Sequence, residues 1–308
     1  MEINSKDLLG IRYLSADEIG FILDTADTMK MILESGSKKT PHLQGKSIVT
    51  LFYENSTRTR VSFELAGKYL GANTTNVSAA TSSVAKGETL IDTVKTLEMM
   101  GTDVLIIRHN MSGAPHLAAR NVNSSVINAG DGMNEHPTQA LLDMYTLRKR
   151  VGDIRNKKVA IIGDLLHSRV ARSDIYALKK LNADVTVAGP STLIPRCFDK
   201  LGIKVFNTVQ EAIVDAEVII ALRIQLERQE KAFIPSVKEY FRFFGIDDHR
   251  LKLARENAFI MHPGPVNRGI ELTSAIIDGN RSLINEQVTN GVAIRMALLY
   301  LLTRRSLK

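Results

Sequence analysis

With 308 residues, 44% of them hydrophobic, the chain has the length and apolar content for two ordinary domains with packed cores, and it contains no run of about 20 apolar residues that would span a membrane. Its formal charge of +7 comes from Lys and Arg dispersed along the chain, with 6% aromatics and no Trp, so neither a basic tail nor a stacking platform for nucleic acid is present. Such a balance suits an enzyme that steers and holds small anions; the alternative is a mildly basic solvated surface.

The N-terminus has no basic stretch leading into an apolar one, so no signal peptide is indicated. Ser15-Ala16-Asp17-Glu18 is a capping box, and Ile19, Ile22, Leu23, Ala26 and Met29 place one buried face on a helix over 15–34. Beyond a loop near 35–43, short apolar runs alternate with helical patterns. Strands are predicted at 47–52, 103–107 and 125–127, and helices at 58–70, 88–101 and 137–150. A second series of strands follows at 158–162, 184–188, 217–222 and 258–261, again separated by helices. Alternation of this kind predicts parallel sheets covered on both faces, here two α/β units in tandem bridged by the 137–150 helix. The single Cys197 cannot form an internal disulfide, which fits a reducing cytoplasm, and no CxxC or HExxH spacing suggests zinc. A last helix over 284–303 is apolar on most sides and should be buried against a domain.

The stretch with the clearest chemistry is Ser56-Thr57-Arg58-Thr59-Arg60, at a strand-to-helix turn. There the free N–H groups of the first helical turn and the helix dipole favour negative charge, and hydroxyls and guanidinium groups are added at the same spot. A plain Ser/Thr N-cap with two solvated arginines is the alternative, although a surface helix usually prefers Asp or Glu in its first turn. Ser82 to Thr89 is a Ser-rich loop in which Lys86 stands beside Gly87, able to meet an anion or simply solvated. Arg108 and His109 are read as following strand 103–107, at the carboxyl end where ligands of open α/β sheets collect.

Asn134-Glu135-His136-Pro137-Thr138-Gln139 opens the bridging helix, with Pro137 suited to its first turn and His136 and Gln139 on one face. Gly163 to Ser173 has the look of a dinucleotide turn after strand 158–162, but it lacks G-x-G-x-x-G and any Walker lysine. Arg223-Ile224-Gln225-Leu226-Glu227-Arg228 follows strand 217–222. His262-Pro263-Gly264-Pro265 is a rigid turn whose carbonyls can accept hydrogen bonds from amino groups.

Taken together, these motifs resemble, in order and spacing from residue 56 to residue 268, the aspartate and ornithine carbamoyltransferases. The resemblance implies a carbamoyl-phosphate site made by Ser56, Thr57, Arg58, Thr59, Ser82, Arg108, His136 and Gln139, with Gly264 and Pro265 of the turn. It also implies Arg169 for the amino-acid α-carboxylate, Arg223 and Gln225 for a second carboxylate, and Lys86 reaching the site of a neighbouring subunit. Arg58, Thr59, Lys86, Arg108 and His136 would carry catalysis. Lys86 in a K-G-E-T loop, the R-x-Q-x-E-R run and the absence of the cysteine of the ornithine enzymes' H-C-L-P turn all point to the aspartate branch. Gly264, where many members have Leu, departs from the pattern in a way that leaves the firmness of the turn open, although H-P-G-P also occurs in the bacterial branch.

The reading is therefore an α/β chain of two doubly wound parallel-sheet domains, the C-terminal helix packing back on the first. A carbamoyl-phosphate-binding domain would comprise 1–137 plus 286–308 and an aspartate-binding domain 138–285. The implied reaction is carbamoyl transfer from carbamoyl phosphate to L-aspartate in the cytoplasm, by direct amine attack and without metal or other cofactor. Domain closure would expel water and bring the reactants together. The implied assembly is a homotrimer with shared sites, with no nucleic-acid or membrane partner; association with regulatory chains or a dihydroorotase is left open. The alternatives are transfer to ornithine or an N-modified ornithine, and a non-catalytic phosphate-binding or regulatory protein on the same fold.

Overall fold

The computed structural model describes residues 3–78, 87–196, 198–224 and 236–304. They form two compact units, Met1–Tyr145 with Val288–Lys308 and Thr146–Gln287, so the chain crosses between units inside two helices.

In the first unit the order is α1 (Ala16–Glu34), β1 (Ser47–Phe52), α2 (Thr57–Tyr69), β2 (Asn73–Ser78), α3 (Leu90–Met99), β3 (Val104–His109), α4 (Ala114–Ala119), β4 (Ser125–Asp131) and α5 (Pro137–Val151). The capping box of α1 is complete: Glu18 N–H donates to Ser15 Oγ at 3.1 Å, and Ser15 N–H donates to Glu18 Oε2 at 2.8 Å. The four strands are all parallel, in the order β2-β1-β3-β4. Alternate residues Val49, Leu51, Leu105 and Ile107 pack with Val94 of α3 and Ala118 of α4 on one face. On the other face, α2 lies so close that a Cβ at Gly67 would sit 3.2 Å from Ile48 Cδ1. Both faces are thus covered, which is why β3 reads as a continuous apolar run and not as an alternation.

The second unit runs β5 (Lys158–Ile162), α6 (Arg169–Lys180), β6 (Asp184–Ala188), β7 (Lys204–Phe206), α7 (Val209–Ile213), β8 (Val218–Ala221), α8 (Val237–Phe244), α9 (Asp248–Leu251), β9 (Phe259–Met261) and α10 (Ser274–Ile277), then enters α11 (Ile284–Thr303). Its five strands are also parallel, in the order β7-β6-β5-β8-β9. Ile219, Ile260, Val209, Ile246 and Leu272 anchor a buried cluster on one side of this sheet. Each such side chain contributes roughly 1.5–3 kcal/mol relative to exposure.

From Val288 onward, α11 belongs to the first unit, where Arg295 donates to Ser62 Oγ of α2 at 2.9 Å and Lys30 of α1 donates to Asn290 at 3.0 Å. The expectation of a buried terminal helix holds: Ile294, Met296, Ala297, Leu298 and Leu299 are fully enclosed.

Three predicted boundaries need correction. β3 extends through Arg108 and His109, with Arg108 paired to Phe52 of β1, so Arg108 is a strand residue and not part of the loop beyond. β4 runs on to Asp131, because Asn128 and Asp131 are buried and satisfy one another's polar groups instead of ending the strand. α3 starts at Leu90, since Thr89 serves as its N-cap by accepting from Asp92 N–H.

Candidate active site

Each sheet reverses its winding once, between β1 and β3 in the first unit and between β5 and β8 in the second. At such a switch point the loops leaving adjacent strand ends turn to opposite sides and open a crevice. Thr57 to Thr59 and Arg108 in the first unit, and Arg169 and Arg223 in the second, stand beside these switch points.

In the first unit, β1 ends at Phe52 and the chain reaches the N-terminus of α2 within four residues. Ser56 holds the N-cap position in extended conformation without a side-chain cap bond, and no acid stands in the first turn of α2. The side-chain bond of a plain Ser cap is therefore not made, and the positive end of the helix dipole at this turn favours an anion. Thr57 and Arg58 are exposed and Thr59 is buried. One strand over, Arg108 donates from Nε to Glu54 Oε2 at 3.2 Å, while its neighbour His109 points elsewhere. The His109 ring accepts from Met111 N–H at 2.9 Å and lies 4.4 Å from the Tyr53 ring. Burial pushes His109 below its ordinary pKa, so it is a neutral group closing the turn after β3.

β4 delivers the third element. Asp131 Oδ1 accepts from Asn128 Nδ2 at 2.8 Å and from Glu135 N–H at 3.2 Å, while its Oδ2 accepts from Gly113 N–H at 2.7 Å and Asn134 Nδ2 at 3.0 Å. Glu135, fully buried, accepts from Ile11 N–H and Arg12 Nε, each at 2.7 Å. These bonds fix the short segment before His136, which is 4% exposed and whose carbonyl accepts from Gln139 and Ala140 N–H. Pro137 opens α5, where its missing N–H costs nothing. Gln139 donates from Nε2 to Asp143 Oδ1 at 3.0 Å. Thr57 to Thr59, Arg108, His136 and Gln139 thus belong to three adjacent strand ends of one sheet.

In the second unit, Gly163 leaves β5 with φ +133, in close approach to Leu222, and leads to Arg169 at the start of α6. Ser168 caps that helix by accepting from Ala171 N–H at 3.1 Å, and Arg169 is 4% exposed. Asp164, fully buried, holds His167 through Nδ1 at 3.0 Å. Across the switch point, Leu222 N–H donates to Ile162 O at 2.8 Å and Arg223 follows. Ile224 N–H donates to Glu271 Oε1 at 2.9 Å, and Asn267 N–H and Nδ2 donate to the same carboxylate at 2.8 and 2.7 Å. Glu271 thereby ties the β8 loop to the 262–268 turn. Burial raises its pKa above the ordinary value, opposed by those donors.

The turn itself is firm. Gly264 adopts φ +63, a left-handed conformation that glycine takes without strain, and its N–H donates to His262 Nδ1 at 2.8 Å. Leucine at this φ would be strained, and glycine fits. The Gly264–Pro265 peptide is cis. Ser82, Lys86 and Gln225 lie outside the described residues.

Sequence reasoning overlooked Glu54, Asn128, Asp131, Glu135, Asp143 and Glu271. The available signal was an acid beside each anion-suited loop, out of place there unless it holds a donor. Among the described residues no group of three or more His, Cys, Asp or Glu is arranged for a metal ion, and no helix is long and apolar enough to cross a membrane.

Two parallel sheets, each with arginine-bearing loops at its switch point, define a protein built to hold small anions at α/β crevices. Residues 6–149 match the family description "Aspartate/ornithine carbamoyltransferase, carbamoyl-P binding domain", and residues 155–302 match "Aspartate/ornithine carbamoyltransferase, Asp/Orn binding domain". The chain belongs to this family. It is 69% identical over 305 residues to the aspartate carbamoyltransferase catalytic subunit of Acetivibrio thermocellus, covering 99% of this chain and 98% of that one. Its structure is similar to that of Trypanosoma cruzi aspartate transcarbamoylase in complex with N-(phosphonacetyl)-L-aspartic acid, with TM-score 0.86, 31% identity and coverage of 96% and 94%. It is equally similar to ornithine carbamoyltransferase from Pyrococcus furiosus, with TM-score 0.87, 30% identity and 98% of each chain covered. The backbone alone therefore does not distinguish the two acceptors; side chains must.

Proposed function

We propose that this chain transfers the carbamoyl group of carbamoyl phosphate to L-aspartate, giving N-carbamoyl-L-aspartate and phosphate, the committed step of pyrimidine synthesis. The observation that carries this reading is the pair of anion-suited crevices, one per unit, each with its own arginines. Relatives as similar as the Acetivibrio thermocellus subunit support aspartate as the acceptor.

In this reading the first unit, with the C-terminal helix, binds carbamoyl phosphate and the second binds aspartate. Ser56, Thr57, Arg58 and Thr59 hold the phosphate, and Arg58 opposes charge accumulating on the bridging oxygen. Thr59, Arg108 and His136 donate to the carbonyl oxygen as it gains negative charge, each preorganised donor supplying a few kcal/mol. Gln139 accepts from the carbamoyl amine. Arg169 takes the aspartate α-carboxylate and Arg223, with Gln225, the side-chain carboxylate, for which a planar guanidinium fork is suited. Carbonyls of the turn at Gly264 and Pro265 accept from substrate amino groups. The amine lone pair forms the new C–N bond, the C–O bond to phosphate breaks, and the departing phosphate takes the amine's proton; no covalent enzyme intermediate forms.

Lys86 and Ser82 act in the site of a neighbouring subunit of a homotrimer, and the single Cys197 fits a cytoplasmic enzyme. Mixing inactive Arg58→Ala and Lys86→Ala chains should regenerate some intact sites; no recovery after verified subunit exchange would count against sharing. For the reaction itself, incubation with carbamoyl phosphate and L-aspartate should yield N-carbamoyl-L-aspartate and phosphate in equal amounts. Phosphate release without the carbamoylated product would remove the reading.

A further inference from the structure

A primary amide is nearly symmetric in shape and opposite in hydrogen-bonding character at its two ends, so its orientation must be imposed by its neighbours. Gln139 is 8% exposed and has one such neighbour: Nε2 donates to Asp143 Oδ1 at 3.0 Å, one turn further along α5. An ionised carboxylate only accepts, so it selects the NH₂ end and turns the Gln139 oxygen away from itself. Asp143 is fully buried, and a buried carboxylate stays ionised only beside a compensating charge.

A cation within electrostatic reach is Arg295 of α11, 4% exposed, where attraction to Asp143 opposes the burial that pushes the Arg295 pKa down to about 10. The same guanidinium donates from Nη1 to Ser62 Oγ of α2 at 2.9 Å and to Gly291 O at 3.0 Å, and it stands over the Phe63 ring at 5.1 Å. Space for it depends on residue 291 being glycine, because a Cβ there would lie 2.6 Å from Nη1. One buried cation is thus bonded to the helix that follows the phosphate loop and lies within electrostatic reach of the carboxylate that orients Gln139.

We propose that Asp143 is a positioning residue that makes Gln139 present its oxygen, and so selects a carbamoyl NH₂ over an isosteric methyl group. This rests on the proposed use of carbamoyl phosphate. Without Asp143 the amide is free to rotate its NH₂ toward the substrate's NH₂, two donors face one another, and preference for the carbamoyl group is lost.

The test measures dissociation constants for carbamoyl phosphate, acetyl phosphate and inorganic phosphate on wild type, Asp143→Ala, Gln139→Ala and the double variant. Asp143→Ala should weaken carbamoyl phosphate about ten-fold and leave acetyl phosphate and inorganic phosphate within about two-fold. It should add nothing in the Gln139→Ala background, since residues acting through one contact are not additive. Equal weakening of all ligands, or a full further loss in that background, overturns the inference. Should Asp143→Ala not fold, Asp143→Leu with Arg295→Met replaces the pair by apolar side chains of similar volume, and the same pattern is expected. Wild-type protein that binds carbamoyl phosphate without preference over acetyl phosphate overturns this inference alone; wild type that binds none of these ligands removes the underlying reading as well.

Discussion

Arg108 Nε donates to Glu54 Oε2 at 3.2 Å, joining the loop after β1 to the end of β3 across the switch point of the first sheet. Both side chains are about five-sixths buried, at 16% and 17% exposure, so the pair is shielded from much of the screening that weakens surface bridges. Arg108 is thereby held at Nε, and its Nη1 also reaches Ala129 O at 3.5 Å. Glu54→Ala should lower kcat/KM for carbamoyl phosphate about ten-fold through loss of aim, leaving the aspartate KM little changed. Steady-state kinetics with each substrate varied in turn would show this; an unchanged kcat/KM would mean that Arg108 needs no such anchor.

Arg58 stands in the first turn of α2, a turn that itself contains no acidic residue. Arg58→Ala should depress kcat by orders of magnitude with a smaller change in aspartate affinity, because its assigned work is on charge that develops as phosphate leaves. Wild-type kcat in this variant would refute that role.

Arg223 leaves β8 with the residue after it fastened to Glu271. Arg223→Lys keeps the charge and removes the planar fork, so the aspartate KM should rise at least about ten-fold while carbamoyl phosphate binding is unaffected. Isothermal titration with carbamoyl phosphate, set beside aspartate saturation curves, separates the two. A parallel loss of both would place Arg223 elsewhere in the chemistry.

Glu271 supplies a pH test. Its folded pKa is raised above the ordinary 4.5 mainly by burial, so the folded state keeps this proton at pH values where the unfolded chain has released it. The associated stability is full below the ordinary value and is lost as pH rises through the folded value. Glu271→Gln does not titrate. The Tm difference between wild type and Glu271→Gln should therefore move against the wild type as pH rises from about 4 to about 7. A difference independent of pH would contradict the assignment.

Much of this architecture could be read from local pattern. β1, β5, β6 and α11 begin and end where their apolar runs do, and the capping box at Ser15 and Glu18 forms both of its bonds. What escaped lies at the sheet edges and among the polar groups inside. β2 is Asn73 to Ser78, an edge strand with no buried residue, so nothing in its composition marks a strand; β7, an edge strand of the other sheet, is only three residues long. Asn128, Asp131 and Glu135 are polar and carry no local sign of burial, yet all are fully buried. Their burial follows from the Leu9 carbonyl, which accepts from Asn128, and from donors supplied by Ile11, Arg12 and Gly113, relations that exist only once the chain has folded. The anion-suited loops were legible because the chemistry they need is local. The acids that aim them were not, because each finds its partner in a different element.

The central claim is that the arginines of the second unit select a dicarboxylic amino acid to receive the carbamoyl group. Carbamoyl transfer to L-aspartate and to L-ornithine, assayed side by side at matched concentrations with carbamoyl phosphate, tests it most directly. The account predicts turnover of aspartate and none of ornithine above background; turnover of ornithine alone, or of neither, would contradict it.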